Sequence, residues 1–370
     1  MDSLSQITLG AAVGVAAMGR GTAPWKAALW GGVAGTLPDL DVFIDHGDPI
    51  LNMVLHRAET HALFWLTLFS LPFAALVARL QGEWDRWPRW WLALWLVLVT
   101  HPLLDAMTVY GTRLALPWTD RAYGMGSIFI IDPLYTLPLL AGVLAVLLAR
   151  GSRLGSAGNA AGLLLSCAYL AWSLAAQQHV ERLARTALAA QGIEARQVLV
   201  TPTAFNTVLW RILAMDAAGD YHEGYRSLLD EGPRIAFRRF DGGARLAPEL
   251  LDIDGVRRIA DFTDGFYKLG EEAGRLRVTD LRMGYEPYYT FSFVVAERHS
   301  ALQVRRVPLH EGDRGDVRAL LAWTWRRLQG VQLAPPSSRP RGLPVLPERE
   351  TAPAARDQRP PATSTMAPVT

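Results

Sequence analysis

Four long apolar runs in the first half of the chain limit most strongly what it can fold into. They cover residues 62–80, 90–109, 128–149 and 160–176. A helix rises about 1.5 Å per residue, so roughly 20 apolar residues are needed to cross the hydrocarbon core of a bilayer. Half of all residues are hydrophobic and the mean hydropathy is +0.13, which is high for an ordinary soluble protein. These features predict a membrane protein.

Two shorter apolar segments precede these runs. They cover residues 7–18 and 27–37 and are separated by a Gly- and Pro-containing break at residues 19–24, a pattern typical of a tight helical hairpin. Together with the four runs, they predict a mainly α membrane protein. We expect a polytopic bundle of about six short or full transmembrane helical segments, followed by a soluble α+β domain.

The composition changes near residue 181. Residues 197–200, 207–214, 275–278 and 289–296 alternate or are rich in β-branched and aromatic side chains, as strands are, whereas residues 316–328 have helical spacing. Beyond residue 332 the chain is rich in Pro, Ser, Thr and Ala, a composition typical of disorder. We therefore predict a helical membrane domain at residues 1–180 that holds a metal site, a soluble α+β domain at 181–331, and a disordered tail at 332–370.

Basic residues are concentrated on one side of the predicted bundle. They are Arg20, Lys26, Arg79, Arg86, Arg89, Arg150 and Arg153. The positive-inside rule places this side in the cytoplasm. The polar segments on the other side and the C-terminal domain are then predicted on the external, periplasmic face of a bacterial-type inner membrane. The start of the chain has no basic region and no small-residue cleavage site, so we do not expect a cleaved signal peptide.

The net charge argues against a nucleic-acid-binding surface, and the cysteine content excludes an intrachain disulfide and a cysteine-rich metal site. The net charge is only +2 and no dense basic block occurs, which argues against direct nucleic-acid binding. Cys167 is the single cysteine of the chain, so neither an intrachain disulfide nor a cysteine-rich zinc site can form. A metal site would have to use histidines and carboxylates.

Ionisable residues that border membrane spans are costly to bury and are candidates for function. The candidates are Asp39 and Asp41, His56 with Arg57 and His61, His101 with Asp105, and Asp132. His101 and Asp105 have i, i+4 spacing, which places both side chains on one helix face, as two ligands of one ion or as an ion pair. A hydrogen bond at a helix end explains that spacing equally well, and Asp41 is also suited to capping a helix.

The candidate set favours a particular chemistry. His56 and His61 are five residues apart without the glutamate of a HExxH motif, which argues against that class of metalloprotease. Neutral imidazoles with carboxylates suit Zn²⁺, with Mn²⁺ or Fe²⁺ as alternatives, and the set is large enough for one ion or two. Such an ion lowers the pKa of water and polarises a carbonyl or phosphoryl oxygen, so hydrolysis is the expected reaction. Arg57 is suited either to an anionic substrate or to a salt bridge with an aspartate. His179, His222, His299 and His310 are not predicted to belong to the site.

At these residues the chain resembles the YdjM-like family of inner-membrane, metal-dependent hydrolases, which also carries a LexA-binding label. The resemblance rests on MDSLSQ at 1–6 with LGAAVG at 9–14, GTLPDLD at 35–41, HRAETH at 56–61, HPLLD at 101–105 with YGT at 110–112, and IFIIDPLYT at 128–136. It implies metal ligands drawn from Asp39, Asp41, His56, His61, His101 and Asp105, with Asp132 a further candidate. A weaker likeness to the same subgroup covers Thr201, Pro202, Asn206, Leu209, Trp210, Arg211, Tyr221, Gly224 and Tyr225.

Two positions depart from that family pattern. Gln6 stands where many members have a histidine, and glutamine is a poor zinc ligand, so we expect it to hydrogen-bond water or substrate. Ala58 and Glu59 replace a usual Gly-Phe pair. The order of acids and histidines is also distantly similar to that of the zinc-dependent phospholipase C group, which by analogy favours a lipid phosphoester.

The sequence therefore predicts a membrane-bound, metal-dependent hydrolase that acts on a lipid or lipid-linked substrate. Asp39, Arg57 and Asp132 are the predicted catalytic residues; Asp39 is also a predicted ligand. The alternative is a non-enzymatic membrane binding or scaffold protein, in which the same residues hold a structural metal or form a buried polar network. A transporter is disfavoured, because the predicted spans carry few ionisable residues between their ends.

Overall fold

The computed structural model describes residues 1–298 and 301–334, all of which belong to one compact unit, Met1–Ser338. Most of the predicted disordered tail, and His299, lie outside the described residues. The first part of the chain is helical. Its helices are α1 (Ser3–Met18), α2 (Pro24–Thr36), α3 (Pro49–Leu55), α4 (Leu63–Leu80), α5 (Trp87–Ala106), α6 (Pro133–Leu148) and α7 (Arg153–Ala190).

Helix α1 lies at the centre of this helical bundle and contacts α2, α5, α6 and α7. Glycines allow α1 and α2 to pack with their backbones in contact. A Cβ atom at Gly10 would lie 2.3 Å from the carbonyl oxygen of Gly31, and one at Gly35 would lie 2.5 Å from the carbonyl oxygen of Gln6. The apolar side chains of α5, including Trp90 and Leu94, fill the core around this pair.

The prediction of about six transmembrane segments is wrong. Among the described residues, only α4 and α7 are long and apolar enough to cross a membrane. Helices α1, α2 and α6 have 16, 13 and 16 residues, so at about 1.5 Å per residue they fall short of the roughly 30 Å hydrocarbon core. Helix α5 has 20 residues, but tryptophans, Arg89, His101 and Asp105 lower its hydropathy.

The description as mainly α also needs correction, because the rest of the described chain contains a substantial antiparallel β region. Its strands are β1 (Ala195–Pro202), β2 (Leu209–Asp216), β3 (Tyr221–Ser227), β4 (Phe237–Phe240), β5 (Tyr267–Glu272), β6 (Arg275–Asp280), β7 (Gly284–Tyr285), β8 (Tyr288–Tyr289), β9 (Ser292–Arg298) and β10 (Leu302–His310). One sheet has the order β1-β2-β3-β4, a second has β10-β9-β6-β5, and β7 pairs with β8. The helices are α8 (Ala247–Leu250), α9 (Asp254–Phe262) and α10 (Val317–Leu328).

Two apolar cores join the helical and sheet parts. Near its C-terminal end, α7 packs Val180 and Ala184 against Trp210 and Ile212 of β2. The second core contains Ile50 and Met53 of α3 together with residues of α9, β6 and β9. Because α3 belongs to the polar segment between α2 and α4, this second core brings the sheets beside the predicted site residues.

The two ends of the helical bundle differ in character. At one end, Lys26 pairs with Glu83 at 3.1 Å, and Thr22 donates a hydrogen bond to the same carboxylate. The break after α1 therefore meets the turn before α5. The other end holds the end of α2, the start of α4 and the last two turns of α5. These two turns carry His101 and Asp105. The predicted metal ligands converge at this second end.

Candidate metal centre

Four side chains from three separate segments meet at this end of the bundle. Asp39 lies in the 3₁₀ segment Pro38–Phe43 that follows α2, and His61 ends the 3₁₀ turn Glu59–His61 that precedes α4. His101 and Asp105 are one turn apart on α5. One potential ligand atom from each residue lies within 4.8 Å of the others. We call these four residues the His/Asp cluster.

The cluster is compact and largely buried. The Nε2 atom of His61 lies 3.4 Å from Asp39 Oδ1 and 3.3 Å from Asp105 Oδ2. The Nε2 atom of His101 lies 3.5 Å from each of the same two oxygens. The side chains of His61, His101 and Asp105 are at most 1% exposed, whereas that of Asp39 is 22% exposed.

The backbone determines which nitrogen of His101 carries a proton. His101 Nδ1 lies 2.8 Å from the carbonyl oxygen of Gly35. A carbonyl only accepts hydrogen bonds, so Nδ1 must donate. In the neutral ring, Nε2 is then unprotonated and directs its lone pair into the cluster.

A chain of hydrogen bonds likewise determines which nitrogen of His61 carries a proton. The hydroxyl of Thr60 donates to Asp41 Oδ2 at 2.8 Å, which uses its only proton. The Thr60 oxygen, 2.9 Å from His61 Nδ1, must then accept a hydrogen bond from that nitrogen. In neutral His61, Nε2 is therefore also unprotonated and faces the cluster.

When both rings are neutral, this arrangement leaves the two imidazole lone pairs without a proton or cation between them. The two Nε2 atoms are 3.2 Å apart, a distance at which two lone pairs repel each other, and both face carboxylate oxygens. Asp105 Oδ2 is buried without a hydrogen-bond partner. Two imidazole nitrogens and two carboxylate oxygens form a donor set that suits Zn²⁺ and related divalent ions. The residues present therefore fit a metal ion, whose identity the arrangement does not determine.

Protons are the alternative occupants of such a site. Burial opposes charging of His61, but its contacts with Asp105 and Asp39 outweigh burial and raise the pKa of His61 above its usual value. Burial would raise the pKa of Asp39, but its contacts with His101 and His61 outweigh burial and hold that pKa well below its usual range. The metal-free cluster thus favours an ionised Asp39 beside a protonated His61.

Asp41 and His56 lie beside the cluster and form their own pair. His56 Nδ1 is 2.8 Å from Asp41 Oδ1, and Asp41 Oδ2 accepts hydrogen bonds from the Arg57 backbone N–H and from Thr60. Burial would raise the pKa of Asp41, but the His56 contact outweighs it and lowers that pKa. Neither residue belongs to the His/Asp cluster. The pair instead links Thr60, and through it His61, to a partly exposed imidazole.

Arg57 connects the cluster to its surroundings. Its Nε lies 3.3 Å from Asp105 Oδ2, its Nη1 donates to Thr108 at 3.3 Å, and its guanidinium carbon lies 5.1 Å from the centre of the Tyr110 ring. Its backbone φ of +65° is unusual for a residue other than glycine. The surrounding contacts therefore hold this residue in a conformation that costs free energy.

Gln6 takes part in the site through Asp105. Its Nε2 donates to Asp105 Oδ1 at 3.1 Å and to the His101 carbonyl oxygen at 3.2 Å, whereas its Oε1 is buried without a partner. The amino group of Met1 also pairs with Asp105 Oδ1. The amide nitrogen of Gln6 thus orients two members of the cluster.

Asp132 has a different environment from the other predicted catalytic residues. Its carboxylate caps α6 by accepting from the Leu134 N–H at 3.0 Å and accepts from the Tyr169 hydroxyl at 2.8 Å. It is not a member of the His/Asp cluster. The catalytic and metal-binding residues predicted from the sequence do not include Thr60, which orients His61, or His310, whose ring packs against Phe291 and Phe293.

One comparison with known proteins covers the part of the chain that holds these residues. Residues 1–180 match the model of a family described as YdjM inner membrane protein, and this region contains the whole His/Asp cluster. No curated protein and no solved structure matches the chain significantly. Over residues 1–180, just under half of its length, the chain is thus similar to YdjM inner membrane proteins.

Proposed function

We propose that this protein is a membrane-bound, metal-dependent hydrolase that acts on a membrane-associated phosphoester. The observation that carries the proposal is the convergence of two imidazole lone pairs and two carboxylates in a buried site. Such a donor set suits one or two divalent ions, and Zn²⁺ is the first candidate, with Mn²⁺ or Fe²⁺ as alternatives. The family description supports an inner-membrane location.

Asp39, His61, His101 and Asp105 would hold the ion. A divalent ion in this position would lower the pKa of water and polarise a phosphoryl oxygen. Asp39 is the most exposed of the four side chains, so it lies where substrate and solvent can approach. Thr60 and the Gly35 carbonyl orient the two imidazoles, as the hydrogen-bond partners of metal ligands generally do.

Arg57 and His56 are the residues that we assign to the substrate. The guanidinium of Arg57, which lies beside Asp105, is a positively charged donor that suits a phosphate oxygen. Asp41 accepts the Nδ1–H of His56, and when the ring is doubly protonated its Nε2–H can be transferred to the leaving oxygen. The imidazole is 24% exposed and is therefore accessible to a ligand.

The experiment is a hydrolysis assay on detergent-purified full-length protein. The protein is first treated with a chelator and then supplied with Zn²⁺, Mn²⁺ or Fe²⁺, and hydrolysis of lipid phosphoesters is compared with that of carboxyl esters and peptides. We expect phosphoester cleavage that depends on added metal and is lost in Asp105→Ala. His179→Ala, which changes an exposed histidine on α7, is the matched control and should retain activity.

The non-enzymatic alternative gives a different result. If the protein binds one or two metal ions and the ions raise its Tm, but none of the three substrate classes is cleaved, the hydrolase proposal is contradicted. The His/Asp cluster would then hold a structural metal in a membrane binding or scaffold protein.

A further inference from the structure

A cavity of about 550 Å³ lies next to the His/Asp cluster. Its walls come from both parts of the molecule. The helical part contributes the segment around Phe43, Ile44 and Met53 together with Ile130 and Ile131. The sheet part contributes Met283, Phe291, Phe293 and His310. A ligand in this cavity would therefore contact the C-terminal domain as well as the helical bundle.

The basic side chains in the cavity wall lie close to the cluster. His56 and Arg57 both line the cavity, and Arg57 Nε is 3.3 Å from Asp105 of the cluster. The acidic side chains in the wall already accept hydrogen bonds from protein donors: Asp2 from Ser5, Asp41 from Thr60, and Asp45 from Asn52. Arg57 and His56 are thus the side chains of this wall that an anion would contact.

Apolar side chains also line the cavity. They include Met53 and Phe291, together with the exposed side chains of Val42, Phe43 and Ile44, which we call the rim. The three rim side chains are 66%, 82% and 53% exposed. Large apolar side chains that remain exposed beside a cavity indicate contact with another apolar surface. The cavity therefore combines an anion-binding end with an apolar opening.

The position of the cluster indicates the source of the ligand. His61 lies two residues before Leu63, where α4, one of the two candidate membrane spans, begins. The cluster and the cavity beside it are therefore near the level at which a spanning α4 would leave the bilayer. Phospholipids present their phosphates at that level and their acyl chains next to it.

We propose that the cavity binds a membrane phospholipid as the ligand of this site. Its phosphate contacts Arg57 and His56, and an acyl chain lies along Met53 and Phe291 and leaves past Phe43 and Ile44. The inference deepens the proposed function by naming a lipid phosphoester as the substrate class. The binding itself requires no hydrolysis.

The test measures binding to chelator-treated full-length protein by native mass spectrometry in detergent. The probes are dioctanoyl phosphatidic acid, dioctanoylglycerol, which lacks the phosphate, and glycerol 3-phosphate, which lacks the chains. We expect phosphatidic acid to bind about tenfold more tightly than either partial probe, because both ends of the cavity contribute. Arg57→Gln should weaken binding of phosphatidic acid and leave that of dioctanoylglycerol unchanged.

A matched pair of double variants tests the apolar rim. Phe43→Ser with Ile44→Ser changes two exposed rim residues, and Leu229→Ser with Val317→Ser changes two exposed apolar residues that do not line the cavity. The rim variant should weaken phosphatidic acid binding about tenfold, as expected for lost apolar contact, and the control should change it less than about twofold.

Two results would overturn the inference. Equal binding of glycerol 3-phosphate and phosphatidic acid would assign the site to a water-soluble phosphoester. Equal loss in the rim and control variants would mean that lipid only adsorbs to apolar surface. Because the metal is removed, failure of the hydrolase proposal does not affect this measurement: lipid binding without hydrolysis would contradict the proposed reaction and retain the binding site.

Discussion

The Nε2 atoms of His61 and His101 face each other at 3.2 Å, and hydrogen bonds on the opposite side of each ring leave both nitrogens without a proton when the rings are neutral. Two neutral imidazoles in this arrangement need a proton or a metal ion between their lone pairs. Thr60 and the Gly35 carbonyl, which accept hydrogen bonds from the two Nδ1 atoms, therefore set the direction of both lone pairs.

Replacing Thr60 with valine should weaken metal binding without removing a ligand. The variant keeps the shape of the side chain but removes the acceptor for His61 Nδ1 and the donor to Asp41. Loss of such an orienting group typically costs about 10- to 100-fold in metal affinity. Competition with a zinc-binding dye measures the change. Thr186→Val, on the exposed face of α7, is the control, and equal affinities in the two variants would refute this role of Thr60.

Gly35→Ala should disturb the same site through the backbone. A Cβ atom there would lie 2.5 Å from the Gln6 carbonyl oxygen, and the Gly35 carbonyl is the group that orients His101. Overpacking of this kind costs about 1–3 kcal/mol in the free energy of unfolding. We expect a lower Tm and weaker metal binding. Gly270→Ala has open space for its Cβ atom and should change neither property.

Replacing Gln6 with methionine should destabilise the metal-free protein. The amide of Gln6 donates to Asp105 and to the His101 carbonyl, so the variant leaves buried acceptors with one donor fewer. A buried polar group without its partner costs about 1–3 kcal/mol. Thermal unfolding of the chelated protein measures the loss. An unchanged Tm would show that Gln6 does not support the cluster.

The raised pKa of His61 predicts how the stability of metal-free protein depends on pH. A histidine whose pKa is higher in the folded state than in the unfolded state stabilises the fold fully at pH values below the unfolded pKa, about 6.5. That contribution is lost as the pH rises through the folded pKa. We therefore expect the Tm of chelated protein to fall as the pH rises above about 6.5. In His61→Gln the slope should be smaller; an identical slope would assign the effect to other groups.

Membrane sidedness is a further prediction. The basic residues of the chain place the turn around Arg86 in the cytoplasm and the sheet region outside, by the positive-inside rule. In a Cys167→Ala background, an impermeant maleimide applied to intact spheroplasts should label Glu231→Cys and leave Arg86→Cys unlabelled until the membrane is opened. Both positions are exposed in the structure. The reverse labelling pattern would invert the orientation.

The sequence allowed part of the site to be anticipated. The i, i+4 spacing of His101 and Asp105 follows directly from helix geometry, and the acids and histidines bordering apolar runs include every member of the cluster. Spacing does not distinguish a ligand from the group that orients a ligand. Asp41 and His56 have the same chemistry as Asp39 and His61, and only the hydrogen bonds through Thr60 separate their roles.

Other features depend on contacts that a linear pattern does not encode. A short apolar run is consistent with either a membrane span or a packed core helix, so the runs in α1, α2, α5 and α6 led to too many predicted spans. Phe291, Phe293 and His310 carry no motif. They reach the cavity because α3 packs against the sheet region, a contact between segments more than 200 residues apart.

The most direct test of the account is the metal content of purified protein. Elemental mass spectrometry on detergent-purified wild type should detect one or two equivalents of a divalent transition metal. His101→Ala and Asp105→Ala should lose that metal while remaining folded, and His179→Ala should retain it. Absence of bound metal in the wild type, even after resupply of Zn²⁺, Mn²⁺ and Fe²⁺, would contradict the metal centre and the hydrolase proposal that depends on it.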